Sequence, residues 1–350
     1  MYKRQVWRDA RLDFALAEVI GDQRVRVRLE IDGPRGRRLV SDLEVEGGES
    51  WIDHSVDLGE VNFDGAILRF TVKYQGEPES DGVFVLGAPV LWEPPGERLN
   101  ILVLLEDALR ADRMSVYGHN RPTTPFKERF FADGVRFERC VSQATKTRFS
   151  CPSFMTSLRP FATGVYGLWN RNPRLDEQYI TLAEVVASHG WATASFLQNA
   201  NAGSDNGLGQ GFDRVVENIP GRADAVYGGG ALDWITNNRE RNFFGYLHVA
   251  DPHQPYQPPV PNRNWYDEIL AERGGPQWAD PLWLQEVRRA LYDGEVASND
   301  AALPALIDHL SSLDLLNDTL IVLIADHGEH LGEHDLWDHI PPSYLQVIHV

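Results

Sequence analysis

The sequence is poor in cysteine, has no excess of basic residues and contains no long apolar run. Two cysteines, Cys140 and Cys151, cannot build a disulfide framework, and the absence of a CxxC pair removes the usual redox and zinc-thiolate motifs. There are 33 Lys and Arg residues against 51 Asp and Glu, a formal net charge of -18. Such a surface repels phosphate backbones, so no nucleic-acid partner is expected. An anionic substrate would have to be drawn in by a local positive centre such as a bound metal. No apolar run is long enough for a transmembrane segment. Met1–Gln5 leads into charged sequence rather than an apolar leader, so no signal peptide is visible. Met1 also runs straight into strand-like sequence, as a fragment would, and the cellular location is left open.

What is present is a long, core-rich chain. Its 350 residues suit two domains, and 43% hydrophobic residues supply the cores. Residues 1–95 read as an all-β, sandwich-like domain. Arg24–Ile31 alternates charged and apolar residues, and Ala66–Tyr74 and Gly82–Trp92 are further strands separated by turn-rich sequence. By analogy with modules attached to hydrolases, this domain suggests carbohydrate binding, with Trp51 and Trp92 as stacking candidates or ordinary core residues. The paired prolines of Glu93–Glu97 read as a linker.

Beyond residue 98 the texture changes. Asn100–Leu105, Ala192–Leu197, Phe243–Val249 and Thr319–Ala325 are runs of strand length, the first and the last two read as buried strands. Helical patterns at Thr181–His189 and within Trp283–Leu315 alternate with them. This order predicts an α/β domain with a mostly parallel central sheet flanked by helices.

Two strand ends carry chemistry. Asp107 follows the first strand, and Asp326-His327 follows the last. Ligands of open α/β sheets bind beyond the carboxyl ends of strands, so these residues can converge. Carboxylate and imidazole together suit Zn, Mn, Ca or Mg. The competing reading makes Asp107 the cap of a helix over Ala108–Met114. Asp251 and His253, just past Phe243–Val249, offer a second metal site or a grip on substrate oxygens, or else form a proline-ordered loop.

Asn100–Gly118, Asp251–Tyr256 and Thr319–Trp337 together resemble the ordered motifs of sulfatase-like hydrolases of the alkaline phosphatase superfamily. Thr123-Thr124-Pro125 and Gly134–Phe137 are similar to that family's next helix and strand. The resemblance covers residues 98–350 and implies a metal-dependent ester hydrolase. It implies metal ligation by Asp107, Asp326 and His327, and substrate contact by His253, Asp251 and His339. It also implies a chain truncated at its C-terminal end, with Leu345–Val350 entering a strand.

The nucleophile position admits two registers. One uses Ser150-Cys151-Pro152-Ser153. The other, fixed by its flanks, puts Thr147 at the nucleophile and Ser150 on the motif's serine. The second needs no deletion and is preferred. A Thr cannot mature to formylglycine. The resemblance therefore implies a metal-coordinated Thr147 and phosphodiesterase, phosphatase or phosphotransferase chemistry. Lys146 and Arg148 flank it. The alternatives are a sulfatase proper, with Ser150 as nucleophile, and a catalytically inactive binding protein with the same fold. The expected substrate is an anionic ester, with a glycan or a lipid headgroup as the candidates.

Overall fold

The computed structural model describes residues 6–20, 24–33, 36–46, 52–62, 66–74, 83–92, 99–167, 173–339 and 344–350. The chain divides into two compact units, Met1–Arg98 and Leu99–Val350.

Among its described residues the first unit has six antiparallel strands: β1 (Val6–Ile20), β2 (Arg24–Gly33), β3 (Gly36–Glu46), β4 (Ile52–Asn62), β5 (Ile67–Tyr74) and β6 (Val83–Trp92). They form two three-stranded sheets, ordered β4-β1-β6 and β3-β2-β5. Period-two alternation explains the pairing of faces. Leu12, Phe14 and Leu16 of β1 and Val25, Val27 and Leu29 of β2 are all buried in one core. Phe14 meets Phe70 of the other sheet edge to face, with ring centroids 5.2 Å apart. β1, β3 and β4 carry the same alternation but were not among the strands expected. Trp51, the Trp92 side chain and the Glu93–Glu97 linker lie outside the described residues.

The second unit contains one five-stranded parallel sheet: β7 (Asn100–Glu106), β8 (Ala192–Leu197), β9 (Arg214–Val216), β10 (Phe243–Val249) and β11 (Thr319–Ile324). Its order is β11-β7-β10-β8-β9. Registers Ile324↔Leu105 and Val249↔Glu106 bring three strand ends side by side. Seven consecutive buried residues in β10 match its central place. β11 differs from the reading as a buried strand. It is an edge strand of this sheet, and Leu320 and Val322 are 53% and 36% exposed.

The helices follow local signals. Leu182–Ala187 begins with a capping box between Thr181 and Glu184. Pro281–Ser312 runs for 32 residues and is capped by the Asp280 carboxylate, which accepts from Leu282 N–H. Pro125–Phe130 starts with Pro at its first position.

Three expectations fail. Ala108–Met114 is not an α-helix, because Ala108 takes a left-handed backbone (φ 62°) and only a 3-10 turn at Ala111–Arg113 follows. Asp107 therefore caps nothing. Gly134–Phe137 is not a strand: among the described residues no strand pairs with it, and Val135 and Phe137 are exposed. Leu345–Ile348 is a single helical turn rather than a strand, and only His349 bridges to Val141.

Candidate metal and ester site

The site forms where β7, β10 and β11 end. Asp107 leaves β7, and its N–H is held by the Val249 carbonyl of β10 at 2.9 Å. Asp326 and His327 leave β11. The left-handed turn at Ala108 aims its N–H at Asp326 Oδ1, 3.2 Å away, and His327 N–H donates to the same oxygen at 2.9 Å. One Asp326 oxygen is thus fixed by backbone, and the other is free.

Ligand atoms of Asp107, Asp326 and His327 lie within 4.8 Å of one another, and all three residues are buried. Asp107 Oδ1 and Asp326 Oδ2 have no hydrogen-bond partner. They lie 3.6 and 3.5 Å from His327 Nε2. His327 Nδ1 is 2.9 Å from the Gly328 carbonyl, which can only accept. A proton on Nδ1 answers that carbonyl, and in this tautomer Nε2 turns its lone pair towards the two carboxylates. Two orphaned, buried carboxylate oxygens and an imidazole lone pair around one point are the donor set of a divalent cation, and these residues fit one. Burial alone would raise the Asp107 carboxyl. The His248 hydrogen bond and the neighbouring His327, His248 and His253 rings outweigh it and hold Asp107 well below the usual range.

Thr147 opens the helix Thr147–Thr156, following the extended residue Lys146. Its Oγ1 is 3.4 Å from Asp107 Oδ2 and 3.4 Å from His327 Nε2. Ser150 is one turn on. Its hydroxyl bonds Ser142 Oγ at 3.0 Å, which in turn donates to the Asp326 carbonyl. Cys151 is buried against Tyr246, and burial pushes its thiol far up.

A second group surrounds the cradle. His253, Glu329 and His339 also bring ligand atoms within 4.8 Å of one another. The His339 ring lies 4.6 Å from that of His327 and 4.9 Å from that of His253. Burial would lower the His253 imidazole, but Asp107, Glu329 and the Gln254 carbonyl raise it above its ordinary value. Glu329 is buried and accepts from the Tyr256 hydroxyl and, at 3.3 Å, from Gln254 N–H. Asp251 lines the same pocket, but its carboxylate is 3.3 Å from Arg222. Burial raises Asp251, and Arg222 only partly offsets that.

A cavity of about 640 Å³ opens over Asp107 and Thr147, and Lys146, Arg148, His253 and His339 line its walls. Arg148 donates to Asn201 Oδ1 at 3.1 Å. The structure thus brings together Asp107, Asp326, His327 and Thr147, with His253 and His339 beside them. Three participants were not foreseen. Asn199 donates to Asp107 Oδ2 at 2.6 Å, His248 lies 3.2 Å from the same oxygen, and Glu329 joins the two outer histidines. A sequence signal existed for His248, the one imidazole inside the apolar run of β10. Pro341-Pro342 lie outside the described residues.

The sulfatase family profile matches residues 99–349. An arylsulfatase of Hemicentrotus pulcherrimus is 24% identical over 264 residues, covering 66% of this chain and 47% of that protein. Arylsulfatase K of Gallus gallus is 24% identical over 318 residues, covering 72% and 58%. The chain therefore spans about half the length of these relatives. The solved phosphonate monoester hydrolase of Agrobacterium radiobacter superposes with a TM-score of 0.57 at 20% identity, covering 72% of this chain and 67% of that one. The C-terminal periplasmic domain of a phosphoethanolamine transferase from Campylobacter jejuni gives 0.55 at 16% identity, covering 72% and 77%. At these identities the solved structures establish the fold. Among the described residues no helix is long and apolar enough to cross a membrane.

Proposed function

The chain belongs to the sulfatase family, and from that premise we propose that it cleaves phosphoric or sulfuric esters with Thr147 as nucleophile. The observation that carries this reading is the placement of Thr147 Oγ1 3.4 Å from both Asp107 Oδ2 and His327 Nε2, at the mouth of the cradle.

Asp107, Asp326, His327 and Thr147 would hold one divalent cation, which when bound lowers the hydroxyl's pKa and offsets negative charge. The rest falls to side chains of the chain. Asp107 Oδ2 accepts the Thr147 hydroxyl and aims its oxygen. That oxygen, its proton released to solvent in the open cavity, attacks sulfur or phosphorus in line. The new Oγ1 bond forms as the bond to the leaving alkoxide breaks. His253 and His339 face the cradle, and either supplies a proton to the leaving oxygen. Water then displaces the group from Thr147, restoring the hydroxyl. Lys146 and Arg148 add positive charge at the cavity wall, where an otherwise acidic protein needs it.

Phosphoester chemistry is favoured over sulfatase chemistry because Thr147 cannot become an aldehyde and because Ser150 is engaged with Ser142. Glycan and lipid headgroup esters both fit an open cavity of this size. The cradle itself argues against an inactive binding protein, since two unsatisfied buried carboxylates are costly without a ligand.

The test is a panel of aryl phosphate monoesters, phosphodiesters and sulfates assayed with the wild type, Thr147→Ala and Ser150→Ala. Phosphoester turnover is expected, lost in Thr147→Ala and kept in Ser150→Ala. Sulfate turnover lost only in Ser150→Ala would reverse the assignment. Absence of turnover on every ester with cation bound would leave the binding protein.

A further inference from the structure

The two oxygens of Asp107 are used differently. Oδ1 is buried without a partner and faces His327 Nε2 at 3.6 Å. Oδ2 accepts from Asn199 Nδ2 at 2.6 Å and sits 3.2 Å from His248 Nε2. Asn199 is itself held: its side-chain oxygen accepts from Asn201 N–H at 2.9 Å, which turns the amide nitrogen inward. The same nitrogen is 3.4 Å from Thr147 Oγ1.

His248 has a partner behind it. Tyr246 stands two residues earlier on β10, on the same face of the sheet, and its hydroxyl is 3.1 Å from His248 Nδ1. Both side chains are buried. The Tyr246 hydroxyl next meets Cys151 Sγ at 3.7 Å. Burial pushes both the tyrosine and the thiol far up, so each keeps its proton. An ionised Asp107 only accepts. The consistent assignment is a row of donors, with Cys151 S–H giving to Tyr246, Tyr246 O–H giving to His248 Nδ1, and His248 Nε2–H giving to Asp107.

We infer that Asn199 and the Tyr246-backed His248 are positioning residues, which clamp Asp107 Oδ2 so that Oδ1 alone is presented to a cation beside Thr147. The inference rests on the cradle reading above. Its physical basis is that a carboxylate free to rotate would share its charge between two directions, whereas a clamped one is preorganised. None of these three residues needs to touch the cation.

The experiment is calorimetric titration of Zn²⁺ and, separately, Mn²⁺ into the metal-stripped full chain, with melting curves to verify folding. Asn199→Ala and His248→Leu are expected to bind about 10- to 100-fold more weakly than wild type. His248→Gln restores an N–H near the Nε2 position and is expected within about threefold of wild type, and Tyr246→Phe, which frees the tautomer, falls in between. Wild-type affinity in both Asn199→Ala and His248→Leu overturns the inference while loss of binding in Asp107→Ala still upholds the cradle. Loss in His248→Leu that His248→Gln does not restore also overturns it, since packing rather than the hydrogen bond would then be responsible. Wild-type affinity in Asp107→Ala would instead overturn the cradle itself. If His248→Leu does not fold, Asn199→Ala and Tyr246→Phe decide.

Discussion

Thr147 Oγ1 lies 3.4 Å from Asp107 Oδ2, although the two residues are 40 positions apart in the chain. The contact joins the end of β7 to the first turn of a helix and sets the hydroxyl against the Asp107 carboxylate.

Removing cation should destabilise the second unit. Asp107 Oδ1 and Asp326 Oδ2 are buried with no hydrogen-bond partner, so the cation-free state keeps uncompensated charge. A ligand at about 100 times its Kd adds about 2.7 kcal/mol. Chelator is therefore expected to lower the melting temperature and added Zn²⁺ or Mn²⁺ to restore it. A melting curve indifferent to both would count against the cradle.

Gly328→Ala tests the turn that carries His327. A Cβ at Gly328 would stand 2.5 Å from the Gln346 carbonyl oxygen and 2.8 Å from Arg110 Cγ. The backbone oxygen cannot swing aside as a side chain can. Overpacking of this kind costs about 1–3 kcal/mol. The variant is expected to melt earlier and to bind cation more weakly, as read by thermal denaturation and titration.

Glu106, the last residue of β7, forms a buried pair. Lys127 Nζ is 2.8 Å from Glu106 Oε1, and both residues are fully buried. Leaving one charge alone costs about 3–5 kcal/mol. Lys127→Met should lower the unfolding free energy, read from denaturant melts, by that amount. Lys127→Met combined with Glu106→Gln should recover part of it, because no lone charge remains.

Acid should weaken the protein through Arg110. Burial raises Asp112 and Glu333, but Arg110 outweighs it and leaves both below their usual values. The unfolded chain then binds protons more tightly. The stabilisation is present above the unfolded carboxylate range, near pH 4, and is lost as pH falls through the lower folded values. In Arg110→Gln the fall in stability between about pH 5 and pH 3 is expected to be shallower. Urea midpoints across that range decide it.

Much of this was legible in the sequence. Asn100–Glu106 and Phe243–Val249 are apolar runs because parallel strands are covered on both faces, and their ends pointed to Asp107 and to the Asp251–Tyr256 loop. Thr319–Ile324 has the same composition, yet it is an edge strand, and composition does not distinguish the two places. The helix expected after Asp107 is absent because Ala108 turns left-handed to reach Asp326, a partner 218 residues away. Asn199 and Glu329 were not legible, since each matters through a hydrogen bond or a ligand cluster that only the folded chain assembles.

The most direct measurement is mass spectrometry of protein quenched during turnover of an aryl phosphate or aryl sulfate, with peptides mapped for a covalent phosphoryl or sulfuryl group. The account predicts that group on Thr147, absent in Thr147→Ala and unchanged in Ser150→Ala. Its appearance on Ser150, or full turnover by Thr147→Ala, would contradict the account.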